Sequence, residues 1–266
     1  MAHACDEAPL NSGDGLATDC EQAFDFARRM TTLLAFDTAS ERMTIALSLG
    51  DRRWSQQAAG GARASATLVP SLLGLLREAG ASLRDLDAIA FGRGPGAFTG
   101  LRTACSVAQG LALGAGKPVL PIDSLLAVAE DARSGAPRFR VWVAIDARMD
   151  QIYAAEYGFV DGRWTTLVAP LLTDAHQLCA RWRDAPPEAV AGDALAAFEA
   201  RLESGDARRF LDARTSGDAL LTLAESAWHD GLALDPARAL PLYVRDKVAS
   251  TTREREAARA EKAEAG

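Results

Sequence analysis

Histidine and cysteine are scarce in this 266-residue chain, at three and four copies. His3, His176 and His229 form neither HxxxH nor HExxH, so no helix offers two imidazoles to one metal ion at helical spacing. That disfavours a zinc or iron hydrolase, and no metal site is expected. The cysteines, Cys5, Cys20, Cys105 and Cys179, lie far apart without a CxxC pair, which suits a reducing compartment better than a disulfide scaffold. Long apolar runs are missing too: GLALGAGKPVLPI is broken by Gly, Lys and Pro well short of the ~18 residues a membrane span requires. The opening MAHACDEAPLNSGDGLATDC has acids and glycines where an export signal has a basic start and an apolar middle. The expected location is the cytoplasm. Basic residues number 29 against 36 acidic ones, a net charge of −7 with no basic stripe, so any RNA contact is expected to need a partner.

Several reaction signatures are absent as well. Gly116-Lys117 is followed by Pro118 and preceded at the wrong place by Leu111, which is no Walker loop. Gly92, Gly94, Gly96 and Gly100 are not spaced as GxGxxG. There is no GxSxG, and Ser106, on a predicted helix beside Cys105, reads as a packing residue without a histidine base. No catalytic residue is identified.

The apolar content of 48% can fill the cores of about two domains. TLLAFD (32–37) and MTIALSL (43–49) read as an antiparallel strand pair around the turn TASER. VWVAID (141–146), ARMDQ and IYAAEYG (152–158) repeat that pattern, with Asp37 and Asp146 at equivalent strand ends, which suggests an internal duplication. Strand PVLPI and helix SLLAVAEDA precede the linker RSGAPR; strands RWTTLVA and AVAG then alternate with helices near 174–183, 193–202 and 218–229. The fold class is α/β, or α+β with mixed sheets. The expected division is an extension at 1–29, a first lobe at 30–135, a second lobe at 136–248 and a charged tail at 249–266.

Two helices of the first lobe carry broad apolar stripes. One spans 67–78, with Pro70 tolerable in a first turn; the other spans 98–113. If part of the stripe faces outward it marks a partner surface built on Leu68, Leu72, Leu75, Leu76, Leu101, Arg102, Ala104, Ala108 and Leu111. If all of it faces inward it is lobe core. Between the strand LDAIAF and the second helix lies GRGPGAFTG, where Gly92, Gly94, Pro95, Gly96 and Gly100 serve either to cradle a phosphate at a helix N-terminus or to make a tight turn. Asp37 and Asp146, with Gly94 and Gly96, are the candidate nucleotide contacts, since a carboxylate at a hairpin tip in a cleft can position Mg²⁺. Against them, the turns Thr38-Ala39-Ser40 and Ala147-Arg148-Met149 lack the glycine that wraps a phosphate.

LLAFDTAS, IAFGRGPGAFTGLRTACSVAQGLALG, VWVAIDARMDQIYAAEYG and PLYVRDKVA, in this order, resemble the TsaB (YeaZ) family of tRNA threonylcarbamoyladenosine biosynthesis, over about residues 31–249. The resemblance implies the actin, hexokinase and Hsp70-like fold, duplicated in two lobes. It further implies a noncatalytic subunit that pairs with TsaD, works with the TsaE ATPase, meets tRNA only within the complex, and forms a homodimer through the first-lobe helices when alone. ATP or ADP and Mg²⁺ would then be shared with partner subunits, with no cofactor of its own. The helix ARASATLVPSLLGLL lacks the metal-binding histidines of TsaD-like relatives, which favours a scaffold. The alternative is a standalone ATP-dependent phosphotransferase or ATPase of the same fold.

Overall fold

The computed structural model describes residues 31–61 and 64–245; the expected extension at 1–29 and tail at 249–266 lie outside the described residues. β1 (Thr32–Asp37) is buried throughout and β2 (Arg42–Leu49) is buried from Met43 to Ser48, mostly apolar on both sides, because helices cover both faces of their sheet. Along β1 the side chains alternate, Leu34 and Phe36 entering one core and Leu33 and Ala35 the other. β3 (Arg52–Ala59) follows as a largely exposed edge strand, and β4 (Ala88–Gly94) and β5 (Val119–Asp123) complete the sheet in the order β3-β2-β1-β4-β5.

The second sheet is built from β6 (Arg138–Arg148), β7 (Gln151–Val160), β8 (Arg163–Thr173), β9 (Ala189–Ala191) and β10 (Arg208–Phe210). Its order is β10-β9-β6-β7-β8. Read from β8, this repeats the first sheet strand for strand: two antiparallel pairings through the hairpins, then two parallel ones. The duplication suggested by the Asp-tipped hairpins therefore extends through both five-stranded sheets, and the fold is the duplicated α/β arrangement of the actin-like class.

Helices α1 (Ala64–Ala79) and α2 (Phe98–Ala115) cover one face of the first sheet. Pro70 sits inside α1 rather than in its first turn, and it is tolerated on the solvent side. The leucine stripe faces inward. Leu68, Leu72, Leu75, Leu76, Leu101, Ala104 and Ala108 are no more than 2% exposed and belong to the lobe's own core, with Leu111 half-buried against it. Periodicity identified the apolar face correctly but could not say that a sheet of the same lobe covers it. These residues thus form no surface stripe; of the expected partner residues only Arg102 is exposed.

The opposite face of the first sheet is covered by α6 (Gly217–His229), whose Leu220, Leu221 and Ala224 meet Leu33, Ala35, Ala90 and Leu120. Helix α3 (Ser124–Arg133) lies between the lobes and sends Leu125, Val128, Ala129 and Ala132 into the second-sheet core beside Val141, Val143 and Tyr157. A cut at 135/136 into two sequence-continuous lobes does not describe this packing, because residues 217–229 return to the first lobe. The far face of the second sheet is filled from α4 (Ala175–Asp184) and the four-residue α5 (Ala194–Ala197). The long helix expected over 193–202 is instead α5 followed by a 3₁₀ turn at Glu199–Arg201.

Candidate functional site

β1 ends at Asp37, which is 1% exposed. Its Oδ1 accepts the Ala39 N–H at 2.5 Å, closing a turn on its own hairpin, and its Oδ2 accepts the Ser124 hydroxyl at 2.5 Å. Ser124 Oγ in turn accepts the Gly94 N–H at 3.1 Å. Burial pushes the Asp37 carboxyl above its ordinary value, with the Ser124 and Ala39 hydrogen bonds pulling the other way. The sequence makes Asp37 a candidate to position Mg²⁺ at a hairpin tip, with the glycine-free turn Thr38-Ala39-Ser40 against it; in the structure the carboxylate is enclosed, with a donor already on each oxygen.

The glycine loop produces that enclosure. A Cβ on Gly92 would collide with the Asp37 carboxylate, one on Gly96 with the Ala39 carbonyl, and one on Gly100 with the Thr38 carbonyl. The Ala97 N–H donates to Ala39 O at 2.7 Å, and the Thr38 hydroxyl donates to Gly100 O at 2.7 Å. Gly94 takes φ 104°, a left-handed value that favours glycine, ahead of the cis bond to Pro95. Absence of side chains thus lets the loop backbone lie directly on the β1–β2 turn, and Gly94 and Gly96 are packed against the protein's own chain.

Four groups around the two strand-end aspartates are not among the residues singled out from sequence: Ser124, Asp123, Tyr157 and Asp193. Ser124 is the partner of Asp37, and Asp123 caps α3 by accepting the N–H groups of Leu125 and Leu126 at 2.9 and 3.4 Å. The Asp-Ser pair before an apolar helix was a legible capping signal; its proximity to Asp37 was not. Asp123 Oδ2 also accepts the Tyr157 hydroxyl at 2.9 Å, and burial raises both groups above their usual ranges. In the second lobe Asp193 Oδ1 accepts the Asp146 N–H at 2.9 Å, with burial raising the Asp193 carboxyl.

Asp146 is half-buried and faces its own turn. Its Oδ1 accepts the Arg148 N–H at 2.8 Å, and its Oδ2 pairs with the Arg148 guanidinium at 2.9 Å. Arg148 also pairs with Glu41 of the first-lobe hairpin, bridging the lobes. Neither aspartate is offered to an incoming phosphate in this arrangement. Among the described residues no group of three or more His, Cys, Asp or Glu side chains is placed to hold a metal ion. Ser106, expected to pack, is exposed and donates back to the Arg102 carbonyl at 2.7 Å.

On the outer side of α2, Phe98, Arg102, Ser106 and Gln109 line a groove of about 530 Å³ together with Leu240 and Tyr243. Leu113 on α2, 78% exposed, and Leu240, 70% exposed, stand on the same lobe. Among the described residues no helix is long and apolar enough to cross a membrane.

Residues 59–263 match the family model described as TsaD, tRNA N6-adenosine threonylcarbamoyltransferase. The chain is 39% identical over 125 residues to the tRNA threonylcarbamoyladenosine biosynthesis protein TsaB of Haemophilus influenzae, covering 47% of this chain and 53% of that one. It is 38% identical over 135 residues to the Escherichia coli protein of the same name, covering 47% and 54%. The matched region spans about half the length of these curated relatives. A solved structure described as YeaZ from Pseudomonas aeruginosa superposes with a TM-score of 0.73 at 35% identity, covering 80% of this chain and 100% of that one. A second from the same organism, described as an uncharacterized protein similar to peptidase YEAZ, gives 0.74 at 35%, covering 81% and 100%. The repeated sheet order, the glycine loop folded onto the Asp37 turn and these matches agree, and the chain belongs to the TsaD family, within its TsaB/YeaZ branch.

Proposed function

We propose that this chain is a noncatalytic subunit of the machinery that forms N6-threonylcarbamoyladenosine beside the anticodon of tRNA, where it supports a TsaD-type transferase. The observation that carries the reading is the enclosure of Asp37, which has a donor on each oxygen and the Gly92 backbone against it. A carboxylate held in this way orders its own loop, and the glycines that would have wrapped a phosphate are used for packing. In this reading the groove face of α2, with its exposed Leu113, meets the TsaD-type subunit or, in its absence, a second copy of the chain. A TsaE-type ATPase acts with the pair. ATP or ADP and Mg²⁺ belong to those partners or to a shared surface, tRNA is met only through the complex, and the complex works in the cytoplasm.

Phosphate release and threonylcarbamoyl transfer to tRNA test this directly. The chain alone is expected to turn over no ATP, and adding it to TsaD- and TsaE-type subunits is expected to raise transfer. Robust ATP turnover by the chain alone, abolished by Asp37→Asn, would instead establish the standalone phosphotransferase. With a charge of −7, the isolated chain is expected to bind tRNA no tighter than the nonspecific range of about 10⁻⁴–10⁻⁶ M at physiological salt, as read by anisotropy.

A further inference from the structure

The PLYVR segment, 241–245, touches both lobes. On the first lobe the Leu242 N–H donates to Arg93 O at 2.7 Å, extending the β4 end. The Tyr243 ring lies 5.4 Å from Phe98, and its hydroxyl accepts Arg102 Nε at 3.1 Å. The Arg102 guanidinium also covers Phe98 at 3.9 Å, so these three side chains form one end of the α2 groove. One residue later Val244 packs against the second-lobe core. Arg245 then donates to the carbonyls of Ala147 and Arg148 at 2.8 and 3.4 Å, and its other terminal nitrogen lies 3.3 Å from Met149 Sδ.

The turn that Arg245 grips is strained. Arg148, Met149 and Asp150 take φ of 61°, 56° and 59°, three non-glycine residues in succession in the left-handed region. Such residues ordinarily enter that region singly and persist where surrounding contacts hold them. A guanidinium with fixed, charged donors on two carbonyls of the turn is such a contact. The same turn carries Arg148, whose guanidinium reaches Glu41 in the first-lobe hairpin.

We propose that the 241–245 strap couples the α2 groove to the interlobe hairpin. Shifting Tyr243 away from Phe98 and Arg102, as a ligand entering the groove would, loosens the hold of Arg245 on 147–149 and releases the Arg148–Glu41 bridge. The coupling goes beyond the proposed role in tRNA modification and does not depend on which partner fills the groove.

Amide hydrogen exchange on the full chain tests it, comparing wild type with Arg245→Ala and Arg102→Ala. The second change lies on the exposed side of α2 and puts in a strong helix former, so the fold should tolerate it. Arg245→Ala is expected to speed exchange at 148–151 at least tenfold. Arg102→Ala is expected to speed it at least threefold, from the other lobe, with the β1 amides unchanged. Unaltered exchange at 148–151 in Arg102→Ala would overturn the coupling, and so would an equal acceleration in β1, since that would report general loosening. Should Arg245→Ala fail to fold, Arg102→Ala decides alone.

Discussion

Gly92 and Gly110 carry opposite expectations for the same substitution. Gly92→Ala drives a methyl into the Asp37 carboxylate and should cost about 3 kcal/mol by overpacking, whereas Gly110→Ala on the exposed side of α2 meets nothing within 4 Å. The second should add roughly 0.5–1 kcal/mol by restricting the unfolded chain. Denaturant melts of the two variants check both signs. Asp37 supplies a pH prediction. Its folded carboxyl binds protons more tightly than the unfolded one, whose ordinary value is 3.8, so its contribution is fully present below that value and is lost as pH rises toward the folded value. Asp37→Asn should remove that fall; thermal melts above about pH 4 would show the variant gaining on wild type, and parallel curves would refute the assignment. At this scale the sequence revealed Asp37 as a strand-end acid, but its partner Ser124 is 87 residues away, a distance no local pattern encodes.

Strands with two covered faces were legible as apolar runs, which is why β1, β2, β4 and β6 stood out. β3 did not, because RRWSQQAA is an exposed edge with no alternation to read, and β10 is three residues long. The helical stripes were legible as stripes, yet what lay against them was not, since α1 and α2 bury the same leucines whether the cover is a sheet or a partner. With the cover now known, Leu72→Glu puts a charge into a fully buried site and should cost at least ~4 kcal/mol of stability. Leu113→Glu, at a largely exposed position, should leave the melt within about 0.5 kcal/mol of wild type while weakening association with a TsaD-type subunit or a second copy. Size exclusion with paired thermal melts separates the two. Unchanged association in Leu113→Glu would move the partner surface off this face of α2.

In the molecule as a whole, the first sheet has one face covered by nearby sequence and the other by α6, reached only after the second lobe has been made. Thr44 bonds the Thr215 carbonyl and Arg53 pairs with Glu225, at separations of 171 and 172 residues. A fragment of residues 30–135 should therefore be insoluble or molten, since Leu33, Ala35, Ala90 and Leu120 would lose their cover, and co-expression with 217–245 should raise its solubility only in part, because Leu125, Val128 and Ala129 of α3 still lack the second sheet. A soluble, cooperatively melting 30–135 fragment would show the first lobe to be self-sufficient. The same closure imposes a schedule on synthesis. At 5–20 residues per second, the ribosome leaves one side of the newborn β1–β2 hairpin waiting about 10–30 s for the helix that seals it. During that interval the nascent chain presents an apolar sheet face, so ribosome-associated chaperones should hold it longest between emergence of β2 and of α6, and synonymous codon choice along the second lobe should govern yield.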